Sequence, residues 1–182
     1  MRKNFGVKTW LYPQPVMMIA TYNEDGSANI MTAAWGGIAD FDKVLIDMSE
    51  HKTTENIART GAFTVACADA AHAKACDYVG VVSGKDVPDK FTKAGFTASK
   101  SQFINAPIVN ELPVTLECEL LKIEEDGRYI GKIVNVSCDE CYLGQDGQPD
   151  LSKFTPIAFD PAGNTYVALG GVVYPAFVTN EM

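Results

Sequence analysis

Two Asp-Gly turns, each set between a pair of β-rich apolar runs, most constrain what this chain can become. "NEDG" (23–26) separates "PVMMIATYN" from "SANIMTAAW", and "EEDG" (124–127) separates "PVTLECELLKI" from "RYIGKIVNVSC". Both pairs read as antiparallel hairpins. In the second pair Val114, Leu116, Cys118 and Leu120 alternate with Thr115, Glu117 and Glu119, the pattern of a strand buried on one face. "KVLIDMS" and "AFTVACA" supply two further strands. Helices are fewer: "TTENIART" ends at Gly61 as a C-terminal cap would, and "DAAHAKACDYVG" has helical character. Many strands with few helices predict a mainly β fold, a closed or sandwich-like antiparallel barrel. The irregular segment 96–111, "FTASKSQFINAPIVNE", is long enough that it is expected to lie over a site.

The 182 residues, 47% of them apolar, can bury one sizeable core, and a single domain over 1–182 is expected. The net charge of −8 comes with fifteen scattered basic residues, which argues against a nucleic-acid partner. Pro13 and Pro15 interrupt the apolar part of the N-terminus, which is too short for a signal peptide or a span. No membrane association and a cytoplasmic location are therefore expected. The odd number of cysteines, five, fits a reducing compartment better than a disulfide framework. Cys138 and Cys141 have metal or redox spacing, but no further ligands are close in sequence, and Asp139 and Glu140 would raise a thiol pKa. A plain strand-end role is expected of them.

The chain has no G-x-G-x-x-G, no P-loop, no serine elbow and no H-x-x-x-H, so no metal site is expected. Two stretches remain. In "SANIMTAAWGG" (27–37) the strand gives up large side chains at Thr32, Ala33 and Ala34, then places Trp35 before Gly36-Gly37. Small residues let a flat ligand reach backbone amides; tight packing against another strand is the alternative. In "SEHKTTENIARTG" (49–61) Ser49, His51 and Lys52 precede a helix that starts at Thr53 or Thr54. Hydroxyls, a cation and unpaired amides could hold a phosphate, or Thr53 could simply be the N-cap, with Glu55 answering the helix dipole. Together the two stretches suit a phosphorylated, flat, aromatic ligand.

"YPQPVMMIATYNEDGSANIMTAAWGG", "SEHKTTENIARTGAFTV", "SGKDVPDKF" and "INAPIVNELPVTLECEL" occur in the order and spacing of the flavin reductase-like proteins. The chain resembles that family, most of all its flavoredoxin and flavin reductase branch, from about Tyr12 to about Val136. The resemblance implies an FMN-binding split barrel of antiparallel Greek-key type holding non-covalent FMN. It implies that Asn29 to Trp35 run along the flavin, with the amides of Met31, Thr32, Ala33 and Ala34 facing the ring and ribityl chain. Ser49, Lys52 and Thr53 would hold the phosphate, with His51 beside them, and Lys90 would lie near the flavin. Tyr166 and Gly170-Gly171 would approach from the C-terminus. Where relatives often carry an Asp-His pair after the second turn, this chain has Arg128 and Tyr129.

Because the isoalloxazine itself accepts hydride or single electrons, no catalytic acid or base is needed from the chain. One implied function is an NAD(P)H-dependent flavin reductase, passing electrons from bound FMN to free flavin, ferric iron or another acceptor. The other is a flavoredoxin-type electron-transfer protein, reduced by a redox partner protein and without its own nicotinamide substrate. A barrel that has lost its flavin is a third reading. The resemblance also implies a homodimer with the flavin near the subunit interface, and the apolar run 166–178 at the C-terminus needs covering.

Overall fold

The structure is a computed structural model that describes residues 1–177. Its elements in chain order are β1 (Gln14–Pro15), β2 (Met17–Tyr22), β3 (Ala28–Ala33), β4 (Gly36–Asp40), β5 (Lys43–Asp47), α1 (Lys52–Thr60), β6 (Ala62–Cys67), α2 (Ala73–Val81) and α3 (Lys90–Lys93). There follow β7 (Ala98–Lys100), β8 (Pro107–Val109), β9 (Val114–Ile123), β10 (Arg128–Cys138), β11 (Ile157–Asp160) and β12 (Thr165–Ala168). Seven strands form one curled antiparallel sheet in the order β3-β2-β6-β9-β10-β5-β4. The expected split-barrel architecture is the one observed.

Both turn-defined hairpins form. Gly26 takes φ +82° and Gly127 φ +86°, values that a residue with a Cβ rarely adopts. Tyr22 pairs with Ala28 at the first tip, and Tyr129 with Ile123 at the second. The helix expected at 53–60 starts one residue earlier and stops where the left-handed Gly61 (φ +68°) caps it.

The split in the barrel lies between β3 and β4. These strands are neighbours in sequence but occupy opposite edges of the sheet, so Ala34 and Trp35 carry the chain across the seam. The Trp35 carbonyl accepts the Asp47 amide at 2.8 Å, which fixes the crossing to the end of β5. Packing dictates much of the small-residue run. A Cβ on Gly36 would stand 2.3 Å from Leu45 O and 2.8 Å from Met17 Cε. On the other side of β3, a Cβ on Gly80 of α2 would come within 2.9 Å of the Thr32 Cβ, so the helix sits directly on that residue.

The barrel interior holds Ile19, Met31, Ala33, Ile46, Ile57, Phe63 and Cys118. Burying a large apolar side chain as completely as Phe63 contributes about 1.5–3 kcal/mol. Gly131 of β10 makes room for that ring, since its Cβ would lie 2.5 Å from Phe63 Cζ. A second core outside the barrel joins Met18 and Ile30 to Cys76 and Val79 of α2 and to Phe91 of α3. Thus β2 and β3 are covered on both faces.

Three expectations are corrected. The one-faced alternation of β9 fails because Thr115 and Glu117 are buried too. Glu117 accepts from Ser101, beyond β7, and from Asn135 Nδ2 at 2.6 Å, so the segment 96–111 covers the second face of the strand. That segment, expected over a site, is instead a fastening: Thr64 Oγ1 donates to Pro107 O at 2.7 Å, and Glu111 accepts the Thr97 amide at 2.9 Å. The N-cap of α1 is His51 rather than Thr53; its amide donates to Thr54 Oγ1 at 2.8 Å. No helix among the described residues is long and apolar enough to cross a membrane.

Candidate functional site

A pocket of about 130 Å³ opens where β3, the first turn of α1 and the end of α2 meet. On the α1 side, helix geometry leaves the Lys52 and Thr53 amides without an intrahelical acceptor. The Thr53 side chain is buried and its Oγ1 accepts from Asn29 Nδ2 at 2.8 Å, which joins the helix start to the strand and leaves the hydroxyl proton free to donate. His51 Nε2 and Ser49 Oγ lie 3.0 Å apart and share a hydrogen bond.

The opposite wall is Val81 at the end of α2 and the turn that follows it to Gly84. Lys90 of α3 builds it. This lysine is only 4% exposed, and its Nζ donates to the carbonyls of Val79 and Val82 at 2.7 Å each. The Val82 amide closes on Tyr78 O at 3.0 Å. Gly84 then approaches so closely that a Cβ would stand 2.6 Å from Asn29 Oδ1 and 3.4 Å from Lys52 Cβ.

The pocket is electropositive. Burial pushes the Lys90 ammonium down to about 8, still mostly protonated at neutral pH. Partial burial and then the charges of Lys90 and Lys85 hold His51 below its ordinary value. Lys52 is 3.6 Å from Glu55, and the same carboxylate takes Lys85 at 2.5 Å. Lys52, Thr53, Ser83 and Lys90 line a volume suited to one tetrahedral anion, beside the first-turn amides of α1. The donor set and the close Gly84 turn fit the phosphate of a flavin nucleotide.

Of the residues implicated by sequence, Asn29, Met31, Thr32, His51, Lys52, Thr53 and Lys90 line this pocket. Ser49 stands behind His51. Ala33 faces the barrel core, while Ala34 and Trp35 border a separate groove. Tyr166 lines neither: its hydroxyl donates to Asp77 of α2 at 2.9 Å, and it packs on the outer core. Arg128 pairs with Asp126 and Glu124, and Tyr129 is buried in the barrel. Cys138 ends β10 and Cys141 lies in the turn after it. Burial pushes the Cys138 thiol up, and the hydrogen bond with Asp139 pushes up that of Cys141. Sequence reasoning missed the wall residues Val81, Val82, Ser83 and Gly84. Their signal was the "SGK" after α2.

An antiparallel split barrel with an anion pocket beside its edge strand defines the class of the flavin-binding barrels. The chain belongs to the flavin reductase-like family: that family's flavin reductase like domain matches residues 9–162. The flavoredoxin of Desulfovibrio vulgaris (Miyazaki F) is 34% identical with a TM-score of 0.94, all of both chains being covered. Flavoredoxin from Methanosarcina acetivorans is 28% identical with a TM-score of 0.83, over 100% of this chain and 97% of that one. An FMN-binding domain of a flavin reductase-like enzyme from Shewanella baltica OS155, 21% identical over 89% of each chain, shares the fold with a TM-score of 0.78.

Proposed function

We propose that this chain is a single-domain cytoplasmic flavoprotein that binds one FMN non-covalently and works as an NAD(P)H-dependent flavin reductase. The observation that carries the reading is the pocket between α1 and the Val81–Gly84 turn, with Lys52, Thr53 and Lys90 around it. The ribityl chain and ring run from there along β3, an edge strand whose outer backbone groups have no strand partner. Bound FMN supplies the redox chemistry, accepting hydride or single electrons. The chain's own groups hold the phosphate, keep α2 against Thr32 and close the barrel interior to water.

The test is direct. Purified protein titrated with FMN is expected to saturate near one per chain, and anaerobic NADH or NADPH is then expected to bleach the flavin. A preparation that takes up no FMN defeats the reading. Flavin that a chemical reductant bleaches and neither nicotinamide does assigns the chain to flavoredoxin-type electron transfer with a partner protein, a reading that the 34% identical flavoredoxin supports.

The same reading includes a homodimer with the flavin near the interface. Phe5, Val7 and Leu11 at one end of the chain and Val172, Val173 and Phe177 at the other are exposed. Val178, the last residue of the apolar C-terminal run, lies outside the described residues. Light scattering at micromolar concentration is expected to report twice the chain mass.

A further inference from the structure

The helix α2 carries one wall of the phosphate pocket and has little apolar grip to hold it there. Its nine residues span about 13 Å, too short for a helix to be stable alone. Only Cys76 and Val79 are fully buried, and both side chains are short; Ala73, Ala75 and Tyr78 pack partly against the outer core. Polar contacts therefore decide how the helix is seated. At its start the Asp69 carboxylate accepts the His72 amide at 3.0 Å, in the single turn that leads into the helix. At its end Lys90 takes the carbonyls of Val79 and Val82. In its middle two neighbouring residues are held from different strands: Thr32 of β3 donates to the Cys76 carbonyl, and Tyr166 of β12 donates to Asp77 at 2.9 Å.

The contact from Tyr166 is not needed to place its own ring. That ring lies 6.1 Å from the Phe159 ring across the β11–β12 pair and packs on the outer core. Burial and then the hydrogen bond to Asp77 push the hydroxyl up to about 12, so it stays a donor through the neutral range. The same small sheet also meets the start of the helix, since the Ala70 amide donates to Thr155 O at 2.8 Å and Asp69 bridges to Pro156, just before β11. Sheet β1-β11-β12 thus holds α2 at two points. From Asp77 to Val81 is one turn of helix, about 6 Å, so a change of seat at Asp77 reaches the pocket wall. The wall has little slack, for a Cβ on Gly84 would stand 2.6 Å from Asn29 Oδ1.

We propose that Tyr166 is a positioning residue for the phosphate pocket: by holding Asp77 it keeps α2 seated on Thr32 and sets the Val81–Gly84 wall at the distance from Asn29 and Lys52 that one phosphate fills. Tyr166 does not touch the ligand. It acts through Asp77 and the helix, from a strand outside the barrel. The inference rests on the FMN function proposed above, which supplies the phosphate.

The test is titration of Tyr166→Phe with FMN and with riboflavin, since the variant removes the hydroxyl and keeps the ring. The FMN dissociation constant is expected to rise about three- to tenfold, the range of one lost hydrogen bond, while that of riboflavin, which lacks the phosphate, stays within about twofold. Asp77→Asn keeps an acceptor for the hydroxyl and is expected to bind FMN as wild type does. Asp77→Ala is expected to match Tyr166→Phe, and the double variant to lose no more than either alone. Unchanged FMN affinity in Tyr166→Phe, equal losses for FMN and riboflavin, or additive losses in the double variant overturn the proposal. If the wild-type protein takes up no FMN, the function proposed above fails first. Amide hydrogen exchange of the apo-protein then decides the positioning role by itself: the Val81–Gly84 amides are expected to exchange at least about twofold faster in Tyr166→Phe with α1 unchanged. Exchange unaltered at that wall, or quickened equally in α1, overturns it.

Discussion

Asn29 Nδ2 donates to Thr53 Oγ1 at 2.8 Å, linking the edge strand of the barrel to the first turn of α1. Asn56, one turn further along the helix, repeats the link by donating to Thr21 Oγ1 at 3.1 Å and to Asn23 Oδ1 at 2.9 Å. The helix start is thus held to the sheet by buried polar pairs rather than by apolar contact alone. Such pairs fix direction as well as distance, which a phosphate site needs.

Asn29→Ala is therefore expected to act on both stability and ligand. It leaves the buried Thr53 oxygen without its donor, at a cost of about 1–3 kcal/mol in the apo-protein. It also frees the Thr53 side chain to turn, so the FMN dissociation constant should rise. Denaturant unfolding and FMN titration of the same variant measure the two effects. Unchanged FMN affinity beside a clear loss of stability would separate the pair from the ligand site.

Gly84→Ala tests the opposite wall. The added methyl meets Asn29 Oδ1 at 2.6 Å, so either Asn29 turns away or the Val81–Gly84 turn moves outward. Either response opens the phosphate end. FMN affinity is expected to fall about tenfold or more, roughly 1.4 kcal/mol, while riboflavin, which lacks the phosphate, loses less. Equal losses for both ligands would place the phosphate elsewhere.

Lys90 should give the apo-protein a recognisable pH profile. Burial holds its folded-state pKa near 8, against 10.5 for the ordinary lysine of an unfolded chain. Between these values the unfolded state keeps a proton that the folded state has lost, so stability rises with pH from about 8 to about 10.5. Lys90→Met is expected to flatten that rise, whatever its effect on absolute stability. FMN binding should run the other way, weakening above pH 8 as the cation beside the proposed phosphate site discharges. Urea midpoints from pH 7 to 10 with and without FMN check both slopes, and parallel profiles for wild type and variant would count against them.

What could be read in the sequence was whatever neighbouring residues encode. Gly26 and Gly127 announce their hairpins because the turn needs a left-handed glycine at that step. Gly61 marks a helix end for the same reason. The Val81–Gly84 wall was not assigned from its "SGK" because it becomes part of a site only through Lys90, which reaches across from α3 to the carbonyls of Val79 and Val82. Glu117 misled the reading of β9, since its polar character suggests an outward position until Ser101 and Asn135 are brought to it. The run Thr32 to Gly37 carried two messages at once. Its small residues answer the approach of α2 at Gly80 and of β5 at Gly36, and the same smallness leaves the edge of β3 open to a ligand.

Trp35 separates those messages. At 55% exposed it carries little of the core, and the backbone bond from its carbonyl to the Asp47 amide survives truncation of the side chain. Trp35→Ala is therefore expected to change apo-protein stability by no more than about 0.5 kcal/mol, the usual range for a surface substitution. A tryptophan at the end of the strand proposed to carry the flavin has a different consequence. Removing it should raise the FMN dissociation constant and shift the flavin midpoint potential, since the indole no longer shields one edge of the ring from water. Apo-protein melting, FMN titration and potentiometry on this one variant decide the matter. A drop in melting temperature of several degrees with FMN affinity and potential unchanged would make Trp35 a part of the seam and detach it from the flavin.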